Sequence, residues 1–292
     1  MTDLARRIAA LADDHVSSAS ALLPAAVDIL RDARQAGDLT RAARGLCAAQ
    51  PAMAAIWNAA GAALAADPSA LDRLAERAQR APAAIARLAH ELALETQAPQ
   101  RRSFVAVTCS ASLPVERFLH LAARHLEITV RCGEGRPALE GCALATRLAD
   151  AGVSVELFTD AGLSQAIDGA DLIVVGADAI APDWFINKVG TRALAAVAAA
   201  TGVQVQVLAG REKFVTQPLA ERLSLRDGPP DGVGGPDHPR IRPRNPYFER
   251  IPMGLVAAVV TDIGIIGGGE VAALCSAVSE LCGTDRLLAI LD

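Results

Sequence analysis

The chain has 292 residues, with 28 Lys and Arg against 33 Asp and Glu, for a formal net charge of −5. That balance argues against a broad electrostatic footprint for nucleic acid, although an anionic small molecule can bind where positive groups converge. Hydrophobic residues make up 52% and aromatics only 3%, so a sizeable core built on closely packed, alanine-rich helices is expected.

The first hundred residues read as helices only. Ile85, Leu88, Ala89 and Leu92 share one face at helical spacing, with Arg87 and Glu91 outside that stripe. Pro24, Pro51, Pro68 and Pro82 are expected to punctuate this segment, with Asp67 as a cap and Pro68 in the first turn of the next helix. Residues 54–66 form the most apolar run, but Asn58 interrupts it and it is shorter than a membrane span. An alanine-rich buried helix is expected there, and no membrane partner. The start of the chain reads as an amphipathic helix and not as a targeting segment. Cys47, Cys109, Cys132, Cys142, Cys275 and Cys282 form neither a CxxC pair nor a zinc-ligand spacing. Free thiols, a cytoplasmic location and no metal are the expectation.

Beyond residue 102 the pattern changes. Phe104–Cys109, Ile128–Cys132, Val153–Phe158, Leu172–Gly176, Val203–Leu208 and Val256–Thr261 are short β-rich runs, separated by helical stretches that include 115–125, 138–150 and 188–200. Strand alternating with helix predicts an α/β fold with a parallel sheet covered on both faces. The boundary is placed near Pro99, Gln100 and Arg101, giving a helical domain over 1–100 and a parallel-sheet domain over 101–292. The irregular stretch 224–246 is too long for an ordinary connection and is read as a functional flap or a subunit-contact loop.

Ligands of open parallel sheets bind beyond the carboxyl ends of the strands. After the first strand come Cys109, Ser110, Ala111, Ser112, Leu113 and Pro114, a run of small residues entering a helix, which suits a phosphate. The same helix terminus is expected to lower the pKa of Cys109, against the alternative of a buried structural thiol. After the fourth strand, Asp178 ends an apolar run, where partial desolvation would raise its pKa towards the range of acid–base work; the alternative is a turn cap. Asn187 and Lys188 are placed at the next helix start as phosphate ligands, unless Lys188 is a solvated surface charge. Arg136 either binds an anion bidentately or pairs with Glu134. His15, His90, His120, His125 and His238 form no constellation; His90, His120 and His125 are read as helix-surface residues.

Taken together, these segments resemble a known family. GADAIAPDWFINKVGT, EGRPALEG, REKF, NPYFERIPMGLVAAVVTDIGII and AQPAMAAIWNAAGAAL resemble, in order and spacing, motifs shared by the regulatory subunits of translation initiation factor 2B, ribose-1,5-bisphosphate isomerase and methylthioribose-1-phosphate isomerase. The likeness runs from about residue 17 to residue 266. It implies an all-helical N-terminal domain followed by a Rossmann-like parallel-sheet C-terminal domain that commonly dimerises, with the 251–266 segment near the contact. It also implies an isomerase-type member acting on a sugar 1-phosphate without a cofactor, with Cys109 and Asp178 as the catalytic pair. Ser110, Ser112, Arg136, Asn187 and Lys188 complete the expected site. The other reading is a non-catalytic regulatory subunit that senses a sugar phosphate or nucleotide. Three positions depart from the isomerase pattern. Thr108 stands where those enzymes usually carry histidine, Ser18-Ala19-Ser20 replaces an Arg-Gly-Ala clamp, and Gln50 replaces an arginine.

Overall fold

The computed structural model describes residues 2–14, 16–96 and 103–292. His15 and the boundary placed at 99–101 lie outside the described residues. Five helices come first: α1 (Asp3–Asp13), α2 (Ala19–Ala36), α3 (Leu39–Ala49), α4 (Ala54–Leu64) and α5 (Ala70–Thr96). Local chemistry sets several of their ends. Thr2 and Ser18 cap α1 and α2 by accepting from the N–H groups of Ala5 and Ala21. Gly37 closes α2 at φ 76°, a conformation that favours glycine. Asp67 does not cap α5 directly. It organises the turn before it by accepting from the N–H and hydroxyl of Ser69.

Pro24 and Pro82 lie inside α2 and α5 and do not interrupt them. A proline in a helix interior costs about 3 kcal/mol through a lost hydrogen bond and a clash. Burial of several side chains around each proline, among them Leu22, Leu23 and Ala26 in α2, outweighs that penalty. Residues 54 to 63 of α4 are all buried. Their small side chains admit close neighbours: a Cβ on Gly61 would lie 2.2 Å from the carbonyl oxygen of Cys282. Asn58, the polar interruption, donates to the carbonyls of Glu212 and Phe214 at 2.8 Å each. It thereby ties the helical region to the sheet that follows.

That second region begins with β1 (Ser103–Thr108), α6 (Leu113–Ala122), β2 (Glu127–Gly133), α7 (Glu140–Asp150) and β3 (Ser154–Phe158). It continues through β4 (Leu172–Val175), β5 (Ala179–Ile180), β6 (Trp184–Lys188), α8 (Thr191–Thr201), β7 (Val205–Leu208) and α9 (Gln217–Arg222). Then come β8 (Phe248–Pro252), β9 (Ala258–Thr261), β10 (Gly264–Ile266), α10 (Val271–Leu281) and α11 (Thr284–Leu291). The main sheet has the order β10-β9-β7-β4-β1-β2-β3, parallel except for β10 on β9. Alternation along each strand divides its side chains between two cores. Phe104, Ala106, Leu172 and Val174 join α5, α6 and α7 on one face. Val107, Ile173, Val175 and Val207 join α8, α10 and the N-terminal helices on the other. Burial on both faces explains why these strands read as near-continuous apolar runs.

The alternation of strand and helix predicted this sheet but not a second one. Strands β5, β6 and β8 form a small antiparallel sheet. Asn187 and Lys188 therefore end a strand and do not start a helix. His90 also differs from expectation: α5 packs on α6, so His90 is buried with its ring 4.8 Å from that of His125. Burial pulls its pKa down. The stretch 224–246 contains one short 3₁₀ turn, Pro230–Val233. It is tied down by Gly228 N–H on the Asn245 carbonyl, 2.7 Å, and by the Asn245 amide on the Pro229 carbonyl, 2.7 Å.

Candidate functional site

The sheet changes direction between β1 and β4: the chain runs outward through β2 and β3, returns to the other side of β1, and runs outward again through β7 and β9. Such a switch point opens a crevice at the carboxyl ends of its two strands. Here the crevice is a cleft of about 460 Å³, closed on its far side by the start of α2. Ser110 and Ser112 after β1, Asp178 after β4, and Asn187 and Lys188 at the end of β6 all line it. Arg136 does not. It is exposed, and its guanidinium reaches the Gly232 carbonyl at 3.5 Å.

The turn after β1 suits an anion. Ser112 is the N-cap residue of α6 and Pro114 lies in the first turn, but the Ser112 side chain makes no capping bond. Its buried Oγ has no hydrogen-bond partner among the described residues. The start of α6 lines the same cleft, and a helix N-terminus favours an anion there. Ser110 (φ 70°) and Leu139 (φ 57°) are the positive-φ residues other than glycine among the described residues, and both line the cleft. Strain of this kind, of order 1–3 kcal/mol, persists where the surroundings over-determine the backbone.

Asp178 is 8% exposed. Burial raises its pKa, opposed in turn by the charge of Lys213, a hydrogen bond from the backbone N–H of Ala19, and the charge of Lys188. Ala19 opens α2, so a residue of the helical region completes the environment of a carboxyl on the sheet. Lys188 is no solvated surface charge. Its Nζ lies 2.5 Å from Glu140 Oε1 and 4.6 Å from the centre of the Tyr247 ring. The second carboxylate oxygen of Glu140 is buried without a partner among the described residues.

Cys109 departs from the sequence expectation. It is 7% exposed, does not line the cleft, and burial pushes its thiol up to about 11. The dipole of α6 acts over its first turn, and that helix begins only at Leu113, so desolvation dominates. The sulfur lies 3.2 Å from Thr191 Oγ1, which also accepts from the Asn187 amide at 3.0 Å.

Glu140, Arg147, Lys213 and Tyr247 are among the cleft residues not singled out from the sequence. Glu140, Lys213 and Tyr247 lie in the segments EGRPALEG, REKF and NPYF, so the motifs could have found them, but their contacts join strands and helices far apart in the chain. Arg147 forms a bidentate pair with Glu116, 2.8 Å for each bond. Gln50 does not line the cleft, and its amide donates to the carbonyls of Leu11 and Asp14. Ser18 and Ser20 do line it, as does Ser17.

Comparisons with known proteins agree with this architecture. The chain shares 33% identity over 144 residues with the ribose 1,5-bisphosphate isomerase of Methanocaldococcus jannaschii, covering 48% of this chain and 47% of that protein. It shares 36% over 161 residues with the methylthioribose-1-phosphate isomerase of Geobacillus kaustophilus, covering 52% and 45%. A putative translation initiation factor eIF-2B subunit 2-like protein of Pyrococcus furiosus is 32% identical over 164 residues, covering 56% and 57%. The chain thus spans about half the length of the curated relatives it matches. In fold it is similar to the translation initiation factor eIF-2B of Pyrococcus horikoshii OT3, with a TM-score of 0.73 and 22% identity over 91% of this chain and 98% of that one. The 5-methylthioribose 1-phosphate isomerase of the same organism gives a TM-score of 0.66 at 18% identity over 95% and 88%. The family match runs from residue 11 to residue 268, across both the helices and the sheet that meet at the cleft: the chain belongs to the initiation factor 2 subunit family.

Proposed function

We propose that this protein is an aldose–ketose isomerase acting on a sugar 1-phosphate, of the ribose-1,5-bisphosphate or methylthioribose-1-phosphate type. The observation that carries the reading is Asp178, a carboxyl that burial holds towards its protonated form on the wall of a cleft that also contains a helix N-terminus without a side-chain cap. In this reading the phosphate sits against Ser110, Ser112 and the first N–H groups of α6, with Asn187, Lys188 and Lys213 around the sugar. A phosphate on C1 blocks spontaneous ring opening. Asp178 therefore gives its proton to the ring oxygen as the bond from C1 to that oxygen breaks. One hydrogen moves from C2 to C1, the C2 hydroxyl becomes the carbonyl, and the proton it loses restores the carboxyl. Cys109 is the proton-transfer partner that the family resemblance assigns. No metal or organic cofactor enters the reaction.

A second reading is a regulatory subunit that binds such a ligand without converting it. The hydroxyl-rich face contributed by Ser17, Ser18 and Ser20 favours it, because these side chains add no cation to the cleft. One experiment separates the two. The protein is mixed with ribose 1,5-bisphosphate, methylthioribose 1-phosphate or a simple pentose 1-phosphate and followed by NMR. Conversion is expected, with Cys109→Ser and Asp178→Asn each slowing it at least about a hundredfold while leaving binding intact. Binding without conversion supports the regulatory subunit, and neither binding nor conversion removes the isomerase reading and puts the ligand outside this substrate class.

The same proposal includes a homodimer or larger homo-oligomer in the cytoplasm, joined near 251–266. In support, Ile263 and Ile265, beside and within the edge strand β10, are 56% and 41% exposed, and the six cysteines are free. A strictly monomeric species by light scattering at micromolar concentration overturns the assembly.

A further inference from the structure

Thr191, the first residue of α8, holds three groups at once. Its Oγ1 lies 2.6 Å from the Lys188 carbonyl, 3.0 Å from the Asn187 amide nitrogen and 3.2 Å from Cys109 Sγ. The donors can be assigned by elimination. A carbonyl only accepts, so the single hydroxyl proton of Thr191 goes to Lys188. The Asn187 NH₂ donates to the hydroxyl oxygen and takes one of its two lone pairs. The other lone pair then accepts from Cys109, whose S–H must point at Thr191. Thr191 is 1% exposed, so no solvent competes for these positions. The backbone helps to set them: Gly190, the residue before, has φ 101°, and the N–H groups of Gly190 and Arg192 are both held by Glu249 Oε1 at 2.8 Å.

This arrangement gives a thiol of high pKa a route to lose its proton without leaving a bare thiolate. When the proton leaves, the hydroxyl can rotate from the Lys188 carbonyl to the sulfur and donate to it, while Asn187 continues to hold the oxygen. Acidic groups around the sulfur oppose ionisation: Glu249, Asp160 and Glu140 all act on it at longer range, whereas Thr191 favours it. We propose that Thr191 is a positioning residue for Cys109, accepting the thiol's hydrogen bond in the resting protein and turning to donate to the sulfur once that proton is transferred. The inference rests on the isomerase reading for its purpose but not for its test.

The test is the pH profile of Cys109 alkylation by iodoacetamide, mapped by mass spectrometry, in the wild type, Thr191→Ser and Thr191→Val. Serine keeps the hydroxyl and should reproduce the wild-type midpoint. Valine keeps the shape but cannot donate to the thiolate, so its midpoint should move up and labelling at a fixed pH below it should fall about tenfold, the effect of one pKa unit. Superimposable profiles for valine and wild type overturn the proposal, as does faster labelling of the valine variant at every pH, which marks mere exposure. Should the valine variant fail to fold, the S–H stretching band of Cys109 in the wild type, identified by its loss in Cys109→Ala, decides the matter. A band shifted down by hydrogen bonding is expected, and a band at the free-thiol position overturns the assignment. None of these readouts needs turnover, so a wild type that converts no sugar phosphate defeats the isomerase reading while leaving the role of Thr191 to be judged separately. Where turnover is seen, Thr191→Val should lower kcat with little change in KM, and Thr191→Ser should restore it.

Discussion

The two sides of the cleft are built on opposite terms. On the β1 side, the start of α6 is unsatisfied: Ser112 Oγ is buried without a partner among the described residues, and the side chain makes no cap. On the β6 side the side chains are already engaged. Lys188 is bound to Glu140 and lies over Tyr247, while Asn187 is bound to Thr191. An anion can approach the first side without breaking a protein contact, but to draw on Lys188 it must compete with Glu140. The difference teaches that the helix terminus is the ready-made phosphate site, and that the lysine nominated from the sequence serves first to hold the strand end in place.

Breaking that comparison should have its largest effect on the engaged side. Lys188 and Glu140 are 7% and 11% exposed, so removing one partner strands a buried charge. Lys188→Met alone should cost about 3 kcal/mol in urea unfolding, and the double variant with Glu140→Gln should recover most of it. Equal losses in the single and double variants would show that the pair is not coupled. The next effect is that of pH on Asp178. Its folded pKa is raised, chiefly by burial, so folding takes up a proton. The stabilisation is fully present below the unfolded value of about 3.9 and is lost as pH rises through the folded value. Asp178→Asn removes that slope, so the difference in urea midpoint between variant and wild type should grow in the variant's favour from acid towards neutral pH. A constant difference contradicts it. The smallest effect sharpens the open side. Ser112→Ala deletes an unpartnered hydroxyl, so the ligand-free protein should be as stable as the wild type or slightly more so. Binding of a sugar phosphate, measured by calorimetry, should weaken by about 1 kcal/mol, roughly fivefold.

Much of this was legible before the structure. The six β-rich runs, their alternation with helix and the purely helical first hundred residues predicted the parallel sheet, because alternation of strand and helix is local and a sheet buried on both faces leaves apolar runs. The same local logic brought Ser110, Ser112 and Asp178 to one edge, since residues that follow neighbouring parallel strands meet there. It failed where the answer depended on what lies opposite. Pro24 and Pro82 looked like helix ends because propensity is counted residue by residue, whereas burial of the whole helix decides. Asn187 and Lys188, the end of β6, read as the start of the following helix because the strand's partners lie elsewhere: β5 beyond a turn, and β8 beyond α8, β7, α9 and the long stretch 224–246.

The pKa of Cys109 shows the division most clearly. Sequence places it before a helix and so suggests a thiol that ionises easily, but ionisation depends on solvation, and solvation is a property of everything packed around the sulfur. Burial pushes it up to about 11 instead, although the hydrogen bond to Thr191 pulls it down. By itself, then, the sequence determined the order of the parallel strands and the helices between them, and the residue types at their ends, because these follow from periodicity and short-range sterics. Only the tertiary structure decided which charges are paired, which hydroxyl is left open and which thiol is desolvated, because each depends on groups brought together from distant parts of the chain.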